Sequence, residues 1–158
     1  MLDDLFSQLR TASAPAEIEA LQSGIWQLWL SSGDAALDKD LEFGMRVMNS
    51  EDYTQAINHF TRLVRLKPDF AEAWNKRATA YYLRGDFKAS LADIAETLKR
   101  EPRHFGALWG QAGILRQLGE YQRALRVLRQ LAAICPHLPG LREQQLHLRE
   151  LLGDEGAA

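Results

Sequence analysis

Three prolines, Pro68, Pro102 and Pro136, stand 34 residues apart. Self-similarity at that period is the signature of a repeat architecture rather than of one irregular core. Registers of that length run over 37–70, 71–104 and 105–138, and each holds two amphipathic stretches joined by a short polar turn. In the middle register Trp74, Ala78 and Tyr81 share one face of a first helix, Ser90, Ile94 and Thr97 share one face of a second, and Gly85-Asp86 supplies the turn. Each register therefore reads as a helical hairpin. A lone hairpin leaves its apolar face in water, so neighbours must stack and share a continuous core. The expected fold class is all-α, built from antiparallel helix pairs.

The identities at fixed offsets go further than the period. The second register sets Trp74, Ala78, Tyr81, Gly85, Phe87 and Pro102 in place, with Ser90 where alanine is usual. The third has Leu108, Ala112, Leu115, Gly119, Tyr121, Ala124, Leu128 and Pro136. The first is looser, with Phe43, Gly44, Val47, Tyr53, Ala56, Phe60, Leu63 and Pro68, and it carries Asp40 where a tryptophan is expected. Over 37–138 this resembles the tetratricopeptide repeat (TPR) family. The resemblance implies a right-handed superhelical stack, an α-solenoid, that works by binding other proteins. Small residues at Gly44, Ala78, Ala112, Ala56, Ser90 and Ala124 let paired helices approach closely while large ones fill the gaps.

Outside the registers, residues 1–34 read as a further helical hairpin or degenerate repeat, with Ser13 as N-cap and Pro15 in the first turn. Ile18, Leu21, Ile25, Leu28 and Trp29 share one face, which is expected to dock on the first clear repeat. Residues 139–153 read as a capping helix, with Leu141, Leu148 and Leu152 on its apolar side, and a frayed tail follows from Gly153. The whole, 1–158, is expected to be a single TPR domain.

Composition narrows the function classes. No apolar run approaches the roughly 20 residues that span a bilayer, so no membrane insertion is expected. The start, Met1-Leu2-Asp3-Asp4, lacks the pattern of a secretory signal, so the expected location is the cytoplasm, or the periplasm if a signal has been removed. The single Cys135 excludes an internal disulfide and reads as a buried small hydrophobe. Residues 1–60 hold 3 basic and 10 acidic side chains, whereas 99–150 hold 9 and 4. That polarity does not amount to a nucleic-acid footprint. It does allow a homo-oligomer in which the acidic part of one molecule meets the basic part of another. His59, His104, His137 and His147 are dispersed, and no nucleophile-base pair, metal cluster or phosphate loop stands out. The expectation is no enzyme, no cofactor and no metal.

A binding surface is legible from helical spacing. Positions 2, 5, 9 and 12 of each register form a stripe apart from the packing stripe, and in the family it lines the concave groove that receives partner segments. The resemblance thus points to Asp38, Leu41, Met45 and Met48, then Glu72, Asn75, Thr79 and Tyr82, then Gly106, Trp109, Gly113 and Arg116. Glu42, Asn49, Lys76, Leu83, Gly110 and Gln117 lie beside the stripe. Leu41, Met45, Met48, Tyr82 and Trp109 are more apolar than a water-facing stripe needs, which marks either an interaction surface or helices covered by the chain's own ends. The clamp by which some family members grip an acidic chain terminus is missing, because Asp38, Leu41, Glu42, Gly106 and Gly110 stand at its cationic or amide positions. Asp38, Glu42 and Glu72 instead predict an unidentified protein or peptide segment that combines an apolar anchor with a basic residue.

Overall fold

The computed structural model describes residues 1–153, and among them it forms nine helices and no strand. In chain order these are α1 (Leu2–Thr11), α2 (Pro15–Trp29), α3 (Ala35–Asn49), α4 (Tyr53–Leu66), α5 (Ala71–Arg84), α6 (Phe87–Arg100), α7 (Phe105–Gln117), α8 (Tyr121–Ile134) and α9 (Leu141–Leu151). They fall into two compact units, one of Trp29–Ala107 and one of Met1–Leu28 with the chain from Leu108 onward. The tail expected after Gly153 lies outside the described residues.

In the Trp29–Ala107 unit α3 packs on α4, α4 on α5 and α5 on α6. Leu41, Ala56, Phe60, Leu63, Ala73 and Ala80 form its dry centre. Close approach is built from small residues. A Cβ on Gly44 would stand 2.6 Å from Cε1 of Phe60, a distance real side chains do not tolerate. Ser90 serves in place of alanine because its hydroxyl is not left bare: Oγ donates to the carbonyl of Ala78 at 2.7 Å.

The ends of these helices follow from register too. Asp34 accepts from the backbone N–H of Ala36 at 2.8 Å, Asp52 from Gln55 at 3.0 Å and Asp86 from Ala89 at 3.1 Å, each satisfying a donor that a helix start leaves orphaned. Between paired helices the backbone turns through the left-handed region, with Gly85 at φ 86° in the second repeat and Gly119 at φ 75° in the third. The first repeat places Glu51 at the same offset with φ 67°, a conformation that costs a side chain roughly 1–2 kcal/mol.

Asp40, the departure from the tryptophan position, makes a polar link between α3 and α4: it pairs with Arg62 and lies 3.7 Å from His59. Trp74 at the same offset in the second repeat donates its indole N–H to the Pro68 carbonyl at 2.9 Å and lies between the guanidinium groups of Arg77 and Arg100, 5.1 and 4.5 Å from the ring. Arg77 also grips Asp93 with two hydrogen bonds, at 2.7 and 2.8 Å, and this pairing holds the guanidinium's pKa above its ordinary value.

In the other unit α8 packs on α9, and α1 lies against α8. Phe6, Leu9, Ile18, Leu21 and Ile25 of the N-terminal hairpin are buried, as are Leu125, Leu128, Leu131, Leu141 and Leu148. α1 thus rests on the second helix of the third repeat. An amphipathic stripe specifies that it will be covered, not which helix covers it. Pro15 is the first residue of α2, and Ala14, not Ser13, accepts the first backbone bond, from Ile18 at 3.0 Å.

Two substitutions separate these backbone arguments. Gly44→Ala should destabilise by about 1–3 kcal/mol despite its better helix propensity, because buried Phe60 has nowhere to retreat. Glu51→Gly should stabilise by up to about 1 kcal/mol by relieving its positive φ. Urea unfolding checks both, and equal midpoints for the two variants would sink the packing account.

Candidate functional site

The first helices α3, α5 and α7 carry the stripe on which a partner is expected, and burial divides it. In the Trp29–Ala107 unit Leu41 and Met48 are 1% and 9% exposed and belong to the core, so they are withdrawn from the binding set. Glu72 and Asn75, 1% and 6% exposed, are withdrawn for a different reason. They belong to a buried polar cluster closed by His104 and Trp29. Glu42, Asn49, Tyr82 and Leu83 are exposed, while Asp38, Met45, Lys76 and Thr79 are half-buried.

The cluster has a definite order. His104 precedes α7, and its Nδ1 accepts the backbone N–H of Ala107 at 3.0 Å, acting as a helix cap. The ring proton is thereby on Nε2, which donates to Glu72 Oε2 at 2.8 Å. The other carboxylate oxygen of Glu72 accepts from Asn75 at 3.0 Å and has Lys76 Nζ at 3.5 Å. The indole of Trp29 stacks on the imidazole with centroids 4.2 Å apart and planes within 14°, and it tilts against Phe105 at 4.9 Å. Three helix ends meet here, and neither His104 nor Trp29 was singled out by spacing for this role.

Two of the acids expected to attract a basic partner are already engaged. Asp38 accepts from the backbone N–H of Ser32 at 2.7 Å and from its hydroxyl. Glu72 is enclosed, and Glu42 lies 3.9 Å from Arg46. Of the three acids, Glu42 alone keeps its carboxylate largely in water.

In the other unit the third repeat keeps its stripe accessible. Trp109 is 38% exposed, and one edge of its ring approaches Gly140, where an added Cβ would stand 3.7 Å from Cη2. Gly110, Gly113 and Arg116 are half-buried, and nothing lies within 4 Å of a Cβ built on Gly113. Trp109, Ala112, Gly113 and Arg116 line one wall of a pocket of about 90 Å³ whose other wall is Leu128 of α8 with Gln144 and Leu148 of α9. Spacing alone missed Gln144, yet the signal was present. Glu42, Lys76, Gly110 and Gln144 follow one another at the repeat period, so carrying the register one step further finds it.

The tetratricopeptide repeat profile matches residues 41–97 and 84–139. A TPR repeat-containing protein of Rhizobium etli is 34% identical over 151 residues, covering 96% of this chain and 74% of that relative. The chain belongs to the tetratricopeptide repeat family. Among solved structures, the first TPR of Spaghetti (RPAP3) bound to the HSP90 peptide SRMEEVD superposes with a TM-score of 0.69 at 15% identity, covering 74% of this chain and 95% of that one. A crystal structure of MamA protein gives a TM-score of 0.69 at 15% identity over 96% of this chain and 81% of that one. The fold is an all-α TPR-like solenoid, and membership of the family makes the chain a protein-protein interaction module.

As a TPR protein the chain offers little reactive chemistry among the described residues. No group of three or more His, Cys, Asp or Glu side chains is disposed to hold a metal ion, and no helix is long and apolar enough to cross a membrane. Cys135 is buried, and burial pushes its thiol above the ordinary range, away from the reactive thiolate.

Replacing His104 by alanine should cost about 3 kcal/mol or more in urea unfolding, because Glu72 is left enclosed without its main donor, whereas Glu72→Gln should cost about 1 kcal/mol. Equal losses would show that the ion-dipole link is not what the pair supplies. Cys135 should react with an aromatic disulfide reagent only under unfolding conditions, and rapid labelling of the folded protein would contradict its burial.

Proposed function

We propose that this TPR protein is a non-enzymatic adaptor that holds a segment of another protein against the exposed first-helix stripe of its repeats. The observation that carries this reading is α7. It presents a large aromatic, Trp109, at 38% exposure, beside Gly113 with open space above it and Arg116 with no ion pair or hydrogen bond among the described residues. Interior glycine costs a helix about 1 kcal/mol, and a tryptophan left 38% exposed forgoes part of its burial. Both serve a surface that receives another chain, since tryptophan is a typical anchor and a bare helix face lets a backbone come close. That the RPAP3 TPR is bound to an HSP90 peptide supports capture of a protein segment by this chain as well. In the Trp29–Ala107 unit the accessible stripe is Glu42, Met45, Asn49, Thr79 and Tyr82, a second stretch of surface available to the partner.

Affinity capture from a lysate of the source organism tests the proposal, with wild-type, Trp109→Ala and Tyr82→Ala proteins as baits of verified equal helicity. Truncating a true anchor should cost roughly 2 kcal/mol or more. A partner held by wild type and lost from the folded Trp109→Ala bait is the expected outcome. Equal capture by all three baits would move binding away from the stripe.

A further inference from the structure

The pocket beside Trp109 is specific enough to describe its occupant. We infer that it takes a branched aliphatic side chain of the partner segment, with a carboxylate of the same segment, an Asp or Glu nearby in sequence, held by Arg116 and Gln144. The inference rests on the segment-binding reading above and sharpens it.

Size selects the apolar part. The pocket measures about 90 Å³, whereas a cavity that accepts benzene is about 150 Å³. A valine, isoleucine or leucine side chain matches the pocket's volume better than an aromatic ring. The walls suit that guest: Ala112, Leu128 and Leu148 are 4%, 2% and 1% exposed, and Trp109 lines the pocket beside them. Gly113 leaves the floor open, so the guest's methyl groups reach the helix backbone.

Charge selects the polar part. Arg116 and Gln144 line the same pocket, and neither side chain has a hydrogen-bond or ion-pair partner among the described residues. A guanidinium offers a planar fork that a carboxylate matches with two parallel bonds, and the amide adds a further donor. This arrangement differs from the family's clamp for an acidic chain terminus. Gly106 and Gly110 leave that clamp without cations, and Arg116 lies further along α7 against α9. A side-chain carboxylate within a segment suffices, and no free chain end is required.

A random-peptide display library panned on the full chain tests the assignment. Wild type should enrich peptides that carry Val, Ile or Leu close to Asp or Glu. For an enriched peptide followed by fluorescence anisotropy, Arg116→Glu should weaken binding at least about tenfold, and exchanging the peptide's acid for lysine should recover part of that loss. Gly113→Leu, which fills the pocket without touching its charge, should abolish binding while helicity and melting temperature stay at or above those of wild type. Enriched peptides without an acidic residue, or binding indifferent to both variants, overturn the inference. If such peptides instead lose binding with Tyr82→Ala, segment binding stands and only the pocket assignment falls. Recovery of no peptide counts against both.

Discussion

Paired helices in this chain come together only where one of them gives up its side chain. At Gly44 the ring of Phe60 occupies the volume that any Cβ would need. At Ser90 the hydroxyl reaches the Ala78 carbonyl across the same kind of close contact. With the backbones this near, large residues such as Leu41, Phe60 and Leu63 fill the remaining space at interior density, and the next helix has a surface to stack on. Every other feature, including which residues remain in water, depends on that spacing.

Polar groups inside such a stack are tolerated only when fully partnered, and here they act at joints. Asp93 is almost wholly buried but receives two hydrogen bonds from Arg77, which in turn lies over Trp74 and Tyr81. Glu72 is enclosed yet reaches His104, Asn75 and Lys76. Replacing such pairs by apolar residues is often neutral in energy, whereas removing one member is costly. Their effect is to fix geometry: His104 ties the start of α7 to α5, and Trp29 stacked on the imidazole brings the end of α2 to the same point. This joint explains why half of the second repeat's expected binding stripe is interior.

The third repeat has the opposite character. Its stripe leaves a tryptophan partly exposed, a glycine under open space and an arginine without a counter-ion among the described residues, all beside the capping helix. Each leaves surface or charge unused by the stack, so this face is suited to another chain. Asp38 and Glu72 of the first two repeats, by contrast, are occupied within the molecule.

By itself the sequence determined the repeat and its hairpins. The proline period, the small residues at Gly44, Ala78 and Ala112 and the capping aspartates Asp52 and Asp86 are local requirements of helix ends and helix approach, so they are written residue by residue. It also marked Tyr82, Trp109, Gly113 and Arg116, which helical spacing alone places off the packing face. Only the tertiary structure decided that Leu41, Met48, Glu72 and Asn75 are enclosed, that α1 rests on α8, and that Gln144 joins Arg116 in one pocket. The physical reason is that spacing fixes which way a side chain leaves its own helix, while burial depends on what another, distant segment places in front of it.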